Sequence, residues 1–282
     1  MLAFAGNSLL CRQALLHSRI DPASFSTLRL VSGAVILALI LHLRTGARGE
    51  RPDAGDAKGR WAGRWDGLAA TMLFAYVACF SFAYRWLDAA SGALILFGAV
   101  QVTMIGAGLR AREPFAPLAW VGALMSLAGL VFLVSPGLSA PEPLGAALMA
   151  LAGLAWGVYS LRGRAVADPL AATAGNFLLA APMALLLSAA LWSQTQVDLA
   201  GAMWAVLSGA VTSGLGYVLW YAAVPRLGAL RAAIAQLSVP PVAALGGVLW
   251  LAEPVTARLL LASLAILGGI ALVLAARARP AS

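Results

Sequence analysis

Residues 80–134 read FSFAYRWLDAASGALILFGAVQVTMIGAGLRAREPFAPLAWVGALMSLAGLVFLV, and residues 220–274 read WYAAVPRLGALRAAIAQLSVPPVAALGGVLWLAEPVTARLLLASLAILGGIALVL. The two stretches align without a gap at an offset of 140 residues. Aligned pairs include Leu87 with Leu227, Glu113-Pro114 with Glu253-Pro254, and Gly129 with Gly269. Both follow one order of features: apolar span, polar break, apolar span, Glu-Pro, apolar span. This shared layout indicates an internal duplication, so we predict two homologous halves.

The composition is that of a membrane protein. Hydrophobic residues make up 62% of the chain and charged residues 11%, against about 45–50% and about 25% in an ordinary soluble domain. The mean hydropathy is +0.89. Apolar runs of about 20 residues, the length that crosses a bilayer, recur along the chain. We therefore predict a polytopic helical membrane protein with no separate soluble domain.

The apolar runs predict ten transmembrane helices, at residues 1–17, 23–42, 67–85, 90–109, 117–135, 144–161, 170–192, 201–224, 229–250 and 257–276. A linker rich in Pro, Gly and Ser at 135–143 divides a first repeat, residues 1–136, from a second, residues 137–282. Because each half has five spans, the second half enters the membrane from the opposite side. The expected fold is an all-α membrane protein of two inverted (antiparallel) five-helix repeats, an architecture of secondary transporters.

The basic residues support this topology. With the N-terminus inside, fourteen lie in cytoplasmic segments, three in outer loops and two within spans. The cytoplasmic set is Arg44, Arg48, Arg51, Lys58, Arg60, Arg64, Arg110, Arg112, Arg162, Arg164, Arg226, Arg231, Arg277 and Arg279. Because Lys and Arg are enriched on the inner side of membrane proteins, we expect both termini in the cytoplasm. The net charge of +8 then reflects orientation, and nucleic-acid binding is not expected.

Motifs at the start of the chain and in both halves carry a family resemblance. They are Ala5-Gly6-Asn7-Ser8, Arg12, Leu28-Arg29, Tyr84 to Leu94, Arg112-Glu113-Pro114, Gly122, Gly129, Trp220 to Ile234, Ala252-Glu253-Pro254, Gly268 and Gly269. Together they resemble the EamA-type members of the drug/metabolite transporter (DMT) superfamily. The chain departs from that pattern at Ala5, where a Trp is common, and at Val100-Gln101, where the fourth helix often holds a Pro.

The resemblance implies a secondary transporter, expected to be an exporter, that works by alternating access through a central cavity between the repeats. Small metabolites, amino acids or related carboxylates in particular, are the expected substrates, and a bacterial inner membrane is the expected location. It implies no enzyme activity and no cofactor. The expected partners are the small-molecule substrate and the lipid bilayer, and a homodimer is left open.

Two arginines lie within predicted spans. Arg12 and Arg29 each fall five to six residues from the outer end of a helix, which places both about 8–9 Å below the outer surface. A shared basic patch at that depth would receive a substrate carboxylate, because the planar guanidinium binds carboxylates bidentately. The alternative is that each side chain extends to the interface without a ligand.

Other polar and aromatic residues within spans are candidates for the substrate site, because polar groups in hydrocarbon are costly. They are Asn7, Tyr76, Trp156, Tyr159, Asn176, Tyr217 and Gln236. Hydrogen bonding between helices is the competing role for Asn176 and Gln236. Pro240 and Pro241 interrupt the ninth span near its middle, so we predict a kink that serves gating.

Acidic residues are expected only at the ends of spans or in loops. With no carboxylate inside a span, a uniporter or exchanger is favoured over a carboxylate-coupled antiporter. Glu113 and Glu253 each precede a Pro and a new span. We interpret both pairs as N-terminal signals for the fifth and tenth helices.

Three other functions were weighed against metabolite transport. A drug efflux carrier would share the fold, but cationic drugs favour a buried counter-charge. An intramembrane enzyme would need an acid–base or metal constellation. No catalytic set is predicted, since His17 and His42 fall at opposite helix ends and no span offers an acid–base pair, and no metal site is predicted, since Cys11 and Cys79 lie singly inside apolar spans. A lipid scramblase would show no saturable flux of a small solute.

Overall fold

The computed structural model describes residues 1–47, 66–110, 112, 116–137, 140–163, 166, 168–220 and 238–277. These ranges contain ten helices and no strand, which confirms the all-α class. The helices are α1 Leu2–His17, α2 Pro22–Ala47, α3 Gly67–Ala83, α4 Ala89–Arg110, α5 Pro117–Val134, α6 Pro143–Gly163, α7 Pro169–Ala190, α8 Leu199–Trp220, α9 Val239–Leu251 and α10 Ala257–Arg277. A short 3₁₀ turn, Trp192–Gln194, joins α7 to α8.

Seven of the described helices are long and apolar enough to cross a membrane, namely α2, α4, α5, α6, α7, α8 and α10. Helices α3 and α9 are apolar but shorter. Large aliphatic side chains cover the outside of the bundle, and Leu186 and Leu264 are each 72% exposed. Such a surface requires a lipid environment, so the chain is a multi-pass membrane protein.

Aspartates define where several helices begin. Asp66, Asp168 and Asp198 each accept a hydrogen bond from a backbone N–H three residues later, at 3.0, 3.1 and 2.8 Å. Asp21 accepts from the backbone N–H groups two and three residues later, those of Ala23 and Ser24, at the start of α2. A side-chain oxygen at this position satisfies N–H groups that the helix leaves unpaired. The acidic residues at these span ends are therefore helix caps.

Helix α9 ends at a residue with left-handed backbone conformation, Ala252 (φ 53°). Arg112, which is 140 residues earlier and also precedes a Glu-Pro pair, has the same conformation (φ 55°). Among the described residues these are the two non-glycine positions with positive φ. The two halves therefore share an unusual backbone feature as well as a sequence pattern.

The tenth helix begins at Ala257, as predicted, but the interpretation of Glu253 as an N-terminal signal for that helix was wrong. Its carboxylate instead accepts the N–H of Ala89 at the start of α4 (2.8 Å). The left-handed turn at Ala252 redirects the chain, so the side chain faces the neighbouring helix start. Its counterpart Glu113 lies outside the described residues.

The last helices of the two predicted halves, α5 and α10, pack closely and antiparallel. Gly122 faces Gly269, and a Cβ added to either would overlap the carbonyl oxygen of the other. Further along α5, the Ser126 hydroxyl donates to the Ile266 carbonyl at 2.8 Å. The residue numbers of the contacts increase along α5 and decrease along α10, so the two helices are antiparallel. Small residues allow this approach of two backbones in lipid.

Ion pairs mark two opposite ends of the bundle. At the first, the Arg12 end, Arg12 pairs with Glu253 and Asp88. At the second, the Asp66 end, Asp66 pairs with Arg162 (2.6 Å) and Arg44 pairs with Asp168. Helix α3 connects the two ends, because it starts after Asp66 and ends before Tyr84, whose carbonyl oxygen accepts from Arg12 at 3.0 Å.

Candidate functional site

The polar centre of the bundle is Arg29 on α2, which is only 1% exposed. Its Nε donates to the Ser213 hydroxyl at 3.2 Å and its Nη2 to the Tyr76 hydroxyl at 3.1 Å. The guanidinium carbon lies 5.3 Å from the ring centre of Tyr76 and 5.0 Å from that of Phe80. The third nitrogen, Nη1, has no hydrogen-bond partner within the described part of the chain. Arg29 therefore keeps one guanidinium nitrogen, with its N–H groups, free to bind an acceptor in a buried, aromatic setting.

A π-helical segment of α8, Ser208–Leu215, supplies the hydroxyl groups of this centre. Ser208, Thr212 and Ser213 all donate to the side-chain oxygen of Asn7, at 2.9, 2.6 and 3.1 Å. The i→i+5 bonding of a π-helix brings residues four and five apart onto one face. That pitch explains how these three hydroxyls reach one oxygen, and Ser213 then links Asn7 to Arg29.

Gly209 allows α8 to approach α2 at this level. A Cβ at Gly209 would overlap both the Ser32 hydroxyl and the carbonyl oxygen of Arg29. The Ser32 hydroxyl in turn donates to the Arg29 carbonyl at 3.3 Å. The backbone of α8 therefore lies directly against the helix that carries the arginine, and only glycine fits there.

Aromatic rings from several helices meet at Trp156 on α6. Its ring centre lies 4.9 Å from that of Tyr76, 5.5 Å from those of Tyr159 and Tyr217, and 6.2 Å from that of Phe4. A cleft of about 20 Å³ opens between these rings, which is room for about one water molecule. It is lined by Phe4, Ser8, Tyr76, Phe80, Leu96, Phe97 and Trp156. A larger solute requires the rings to move apart.

The structure brings together most of the candidate residues chosen from the sequence. Asn7, Arg29, Tyr76, Trp156, Tyr159 and Tyr217 form one connected group through the contacts above. Because Arg29 is buried among helices, it does not extend to the interface as the alternative interpretation expected. Gln236 lies outside the described residues. Pro240 and Pro241 occupy the first turn of α9 as described, where proline is tolerated, and a gating role for them stays a prediction.

Arg12 makes a separate set of contacts at the Arg12 end. Its Nε donates to Glu253 at 3.1 Å, its Nη1 to the Tyr84 carbonyl at 3.0 Å and its Nη2 to Asp88 at 3.5 Å. The two arginines therefore have different partners, and Arg12 already has two carboxylates beside it. Its proposed part in substrate binding requires that these contacts open.

Asn176 lies in a second cavity, towards the Asp66 end. This cavity has a volume of about 60 Å³ and includes Asp66, Tyr159, Arg162 and Thr173 in its lining. The side-chain oxygen of Asn176 is buried and has no partner among the described residues. Tyr159 borders both this cavity and the ring cluster around Trp156, so it connects the two.

Sequence reasoning missed several members of the centre. Ser208, Thr212 and Ser213 were not selected, although a Ser-Gly-Ala-Val-Thr-Ser run inside a span is an available signal. Glu253 was assigned to a helix start. Within the described ranges no three His, Cys, Asp or Glu side chains lie together as a metal site would require.

These features define a multi-pass helical membrane protein with a buried polar centre, the arrangement in which membrane transporters hold their substrates. Residues 1–135 and 143–275 both match the EamA-like transporter family. The chain therefore belongs to this family of membrane transporters, as the resemblance in its motifs implied, and it contains two copies of the family's repeat.

Two comparisons extend this result. An uncharacterised protein of Pseudomonas aeruginosa is 55% identical over 277 residues, covering 98% of this chain and 92% of that protein. A protein crystal structure with 21% sequence identity superposes with a TM-score of 0.62 and covers 98% of both chains. At that identity the likeness shows a shared fold.

Proposed function

We propose that the protein is a secondary transporter that exports amino acids or related small carboxylates by alternating access. The transport path runs through a central cavity between two inverted five-helix repeats. The antiparallel packing of α5 and α10, the last helices of the two halves, supports the inverted arrangement. The distribution of basic residues supports a bacterial inner membrane with both termini in the cytoplasm.

The observation that carries the substrate class is the unpartnered Nη1 of Arg29. A buried charge needs a counter-charge, because desolvation of an isolated ion costs several kcal/mol. Among the described residues, no carboxylate forms an ion pair with Arg29, whereas Arg44 and Arg162 each pair with one carboxylate and Arg12 pairs with two. A substrate carboxylate supplies both the missing charge and the missing hydrogen-bond acceptor.

The rings around Arg29 provide the rest of the site. Tyr76 and Phe80 stack on the guanidinium, and Trp156 lies beside Tyr76. An apolar part of the substrate would take the place of the ring–ring contacts. The apolar surface of the rings would then stay buried against the substrate. Because the cleft has room for only about one water molecule, binding must separate these rings. Alternating access further requires that the separated rings open the site to one end of the bundle at a time.

The test is counterflow in proteoliposomes containing the purified protein. Each labelled amino acid is compared with its amide, which keeps the side chain and removes the carboxylate charge. We expect saturable accumulation of one or a few amino acids and not of their amides. Because a hydrogen bond to a charged group contributes about 1.5–3 kcal/mol, Arg29→Met should weaken the apparent affinity about 10- to 100-fold.

Arg85→Met is the matched control, because Arg85 is an exposed arginine that stacks on Trp86 at the Arg12 end. It should transport as the unmodified protein does. Equal transport by Arg29→Met and Arg85→Met would refute carboxylate recognition by Arg29. Absence of counterflow for every amino acid would refute the proposed substrate class.

A further inference from the structure

Glu253 combines burial with ionic contacts in a way that no other described carboxylate does. It lies in the loop between α9 and α10 and is 8% exposed. One carboxylate oxygen accepts from Arg12 Nε at 3.1 Å, and the other accepts from the N–H of Ala89 at 2.8 Å. Gly247 leaves room for it, since a Cβ there would lie 2.5 Å from the carboxylate. The fold therefore provides a fitted position for this group.

This carboxylate joins parts of the chain that are distant in sequence. Through Arg12 it holds α1, and through Ala89 it holds the start of α4. Arg12 also bonds the Tyr84 carbonyl and Asp88 between α3 and α4. The Arg12 end is thus closed by one cluster in which the second half contributes a single carboxylate, that of Glu253.

The groups that face Glu253 come from four elements. Arg12 belongs to α1, and Tyr84 and Asp88 belong to the segment between α3 and α4. Helix α4 contributes the N–H of Ala89, and α9 contributes the backbone at Gly247. Asp88 has 43% of its side chain exposed, against 7% for Glu253. Asp88 is therefore the water-accessible carboxylate of this cluster, joined to the buried pair through Arg12.

We propose that Glu253, a carboxylate between two spans and not within one, is a proton-binding site through which transport is coupled to protons, in contrast to the uniporter or exchanger that the sequence favoured. A proton taken from water converts the carboxylate to a neutral acid, which ends the ion pair with Arg12 and weakens the acceptor for the Ala89 N–H. The Arg12 end then opens towards the central cavity. Loss of the proton restores the ion pair and closes that end.

The environment of Glu253 favours protonation more than that of an exposed glutamate. Burial is the largest influence on the pKa of Glu253 and raises it above the ordinary value. The Ala89 N–H and Arg12 oppose this rise, and the negative charge of Asp88 adds to it. Because the pKa is raised, the closed form dominates at high pH, and opening begins as the pH falls towards it.

The first experiment needs no substrate. Cys11 is 0% exposed and adjoins Arg12 in sequence, with its thiol near Ser81 below the cluster. In a Cys79→Ser background it is the single thiol, so its alkylation by a maleimide reports opening of this end. At one fixed pH, Cys11 should be alkylated about tenfold faster in Glu253→Gln, which imitates the neutral acid, than in the protein that keeps Glu253. That ratio corresponds to a tenfold rise in the fraction of open protein.

Glu142→Gln is the matched control. Glu142 accepts the N–H of Gly145 at 2.6 Å at the start of α6, so it caps a helix at the same end without pairing with Arg12. Its alkylation rate should equal that of the background protein. An unchanged rate in Glu253→Gln, or an equal increase in Glu142→Gln, would overturn the proposal.

A second variant tests the same contact without changing Glu253. Gly247→Ala keeps the charge of Glu253 but displaces the carboxylate, so it should also speed Cys11 alkylation. In the protein that keeps Glu253, the alkylation rate of Cys11 is divided by the alkylation rate of free cysteine at the same pH. This ratio should rise as the pH falls. That ratio should be independent of pH in Glu253→Gln. A ratio independent of pH in both proteins would overturn the proposal.

The coupling itself rests on the proposed function and is measured as flux. An imposed proton gradient should drive amino-acid accumulation in the unmodified protein and not in Glu253→Gln. Counterflow that ignores the gradient in the unmodified protein would refute proton coupling and leave the carrier function intact. If no amino acid is carried, the proposed function fails, and the thiol experiment still decides whether Glu253 controls opening.

Discussion

Ala252 holds a conformation that normally belongs to glycine. For an L-residue the left-handed helical region costs about 1–2 kcal/mol, and Ala252 has φ 53°. Glycine removes that cost, although its flexible unfolded state returns about 0.5–1 kcal/mol. We expect Ala252→Gly to be neutral or to stabilise the folded protein by up to about 1 kcal/mol, measured as the apparent thermal unfolding midpoint in detergent.

Ala271→Gly provides the comparison, because Ala271 is exposed inside α10. There glycine only weakens a helix, by about 1 kcal/mol. An equal loss of stability in both variants would show that Ala252 is not strained.

At the residue scale, the sequence located Arg29 and its ring neighbours because a charge or a polar ring inside an apolar span is conspicuous. It could not locate Glu253 as a buried group. Glu253 follows a span and precedes a Pro, which reads as an ordinary helix boundary. Only the approach of α1 and α4 buries its carboxylate, and contacts between residues 241 and 164 positions apart leave no trace in local patterns.

At the element scale, the contact between α5 and α10 depends on backbone proximity. Gly122→Ala should destabilise the protein by about 1–3 kcal/mol, because its Cβ would overlap the Gly269 carbonyl and two packed helices have to separate. The measurement is again the apparent unfolding midpoint in detergent.

Gly106→Ala tests whether that loss reflects the contact or merely the substitution. Gly106 lies inside α4, and a Cβ there meets no atom within 4 Å. Alanine is the better helix former by about 1 kcal/mol, so this variant should gain stability. Similar behaviour of the two variants would contradict the close packing of α5 and α10.

The sequence predicted the positions of the helices well, but it did not predict where the helix pitch changes. The fifth span was expected at 117–135, and α5 spans Pro117–Val134. The linker at 135–143 likewise falls between α5 and α6. The π-helical turns of Ser208–Leu215 were not foreseen, because apolar periodicity in lipid-facing helices is weak and all sides are hydrophobic. The hydroxyl cluster on Asn7 depends on that pitch.

At the scale of the whole molecule, the two ends of the bundle differ in charge. Three arginines, Arg19, Arg85 and Arg258, lie in the loops at the Arg12 end. A larger number of Lys and Arg residues lie in the segments that the sequence assigns to the Asp66 end. The positive-inside rule therefore predicts that the Asp66 end faces the cytoplasm, which would put the proposed proton site at Glu253 on the outer side.

This orientation can be measured with single cysteines in a Cys11→Ser, Cys79→Ser background. Gln194 is exposed in the turn between α7 and α8, and Ala116 is exposed at the start of α5. In intact cells a membrane-impermeant maleimide should label Gln194→Cys directly, but Ala116→Cys only after permeabilisation. Three helices, α5, α6 and α7, separate these two turns, and an odd number of spans places the turns on opposite sides. Labelling of both from outside would therefore contradict the ten-span arrangement. The reverse pattern would keep the fold but invert it in the membrane, and Glu253 would then respond to cytoplasmic protons.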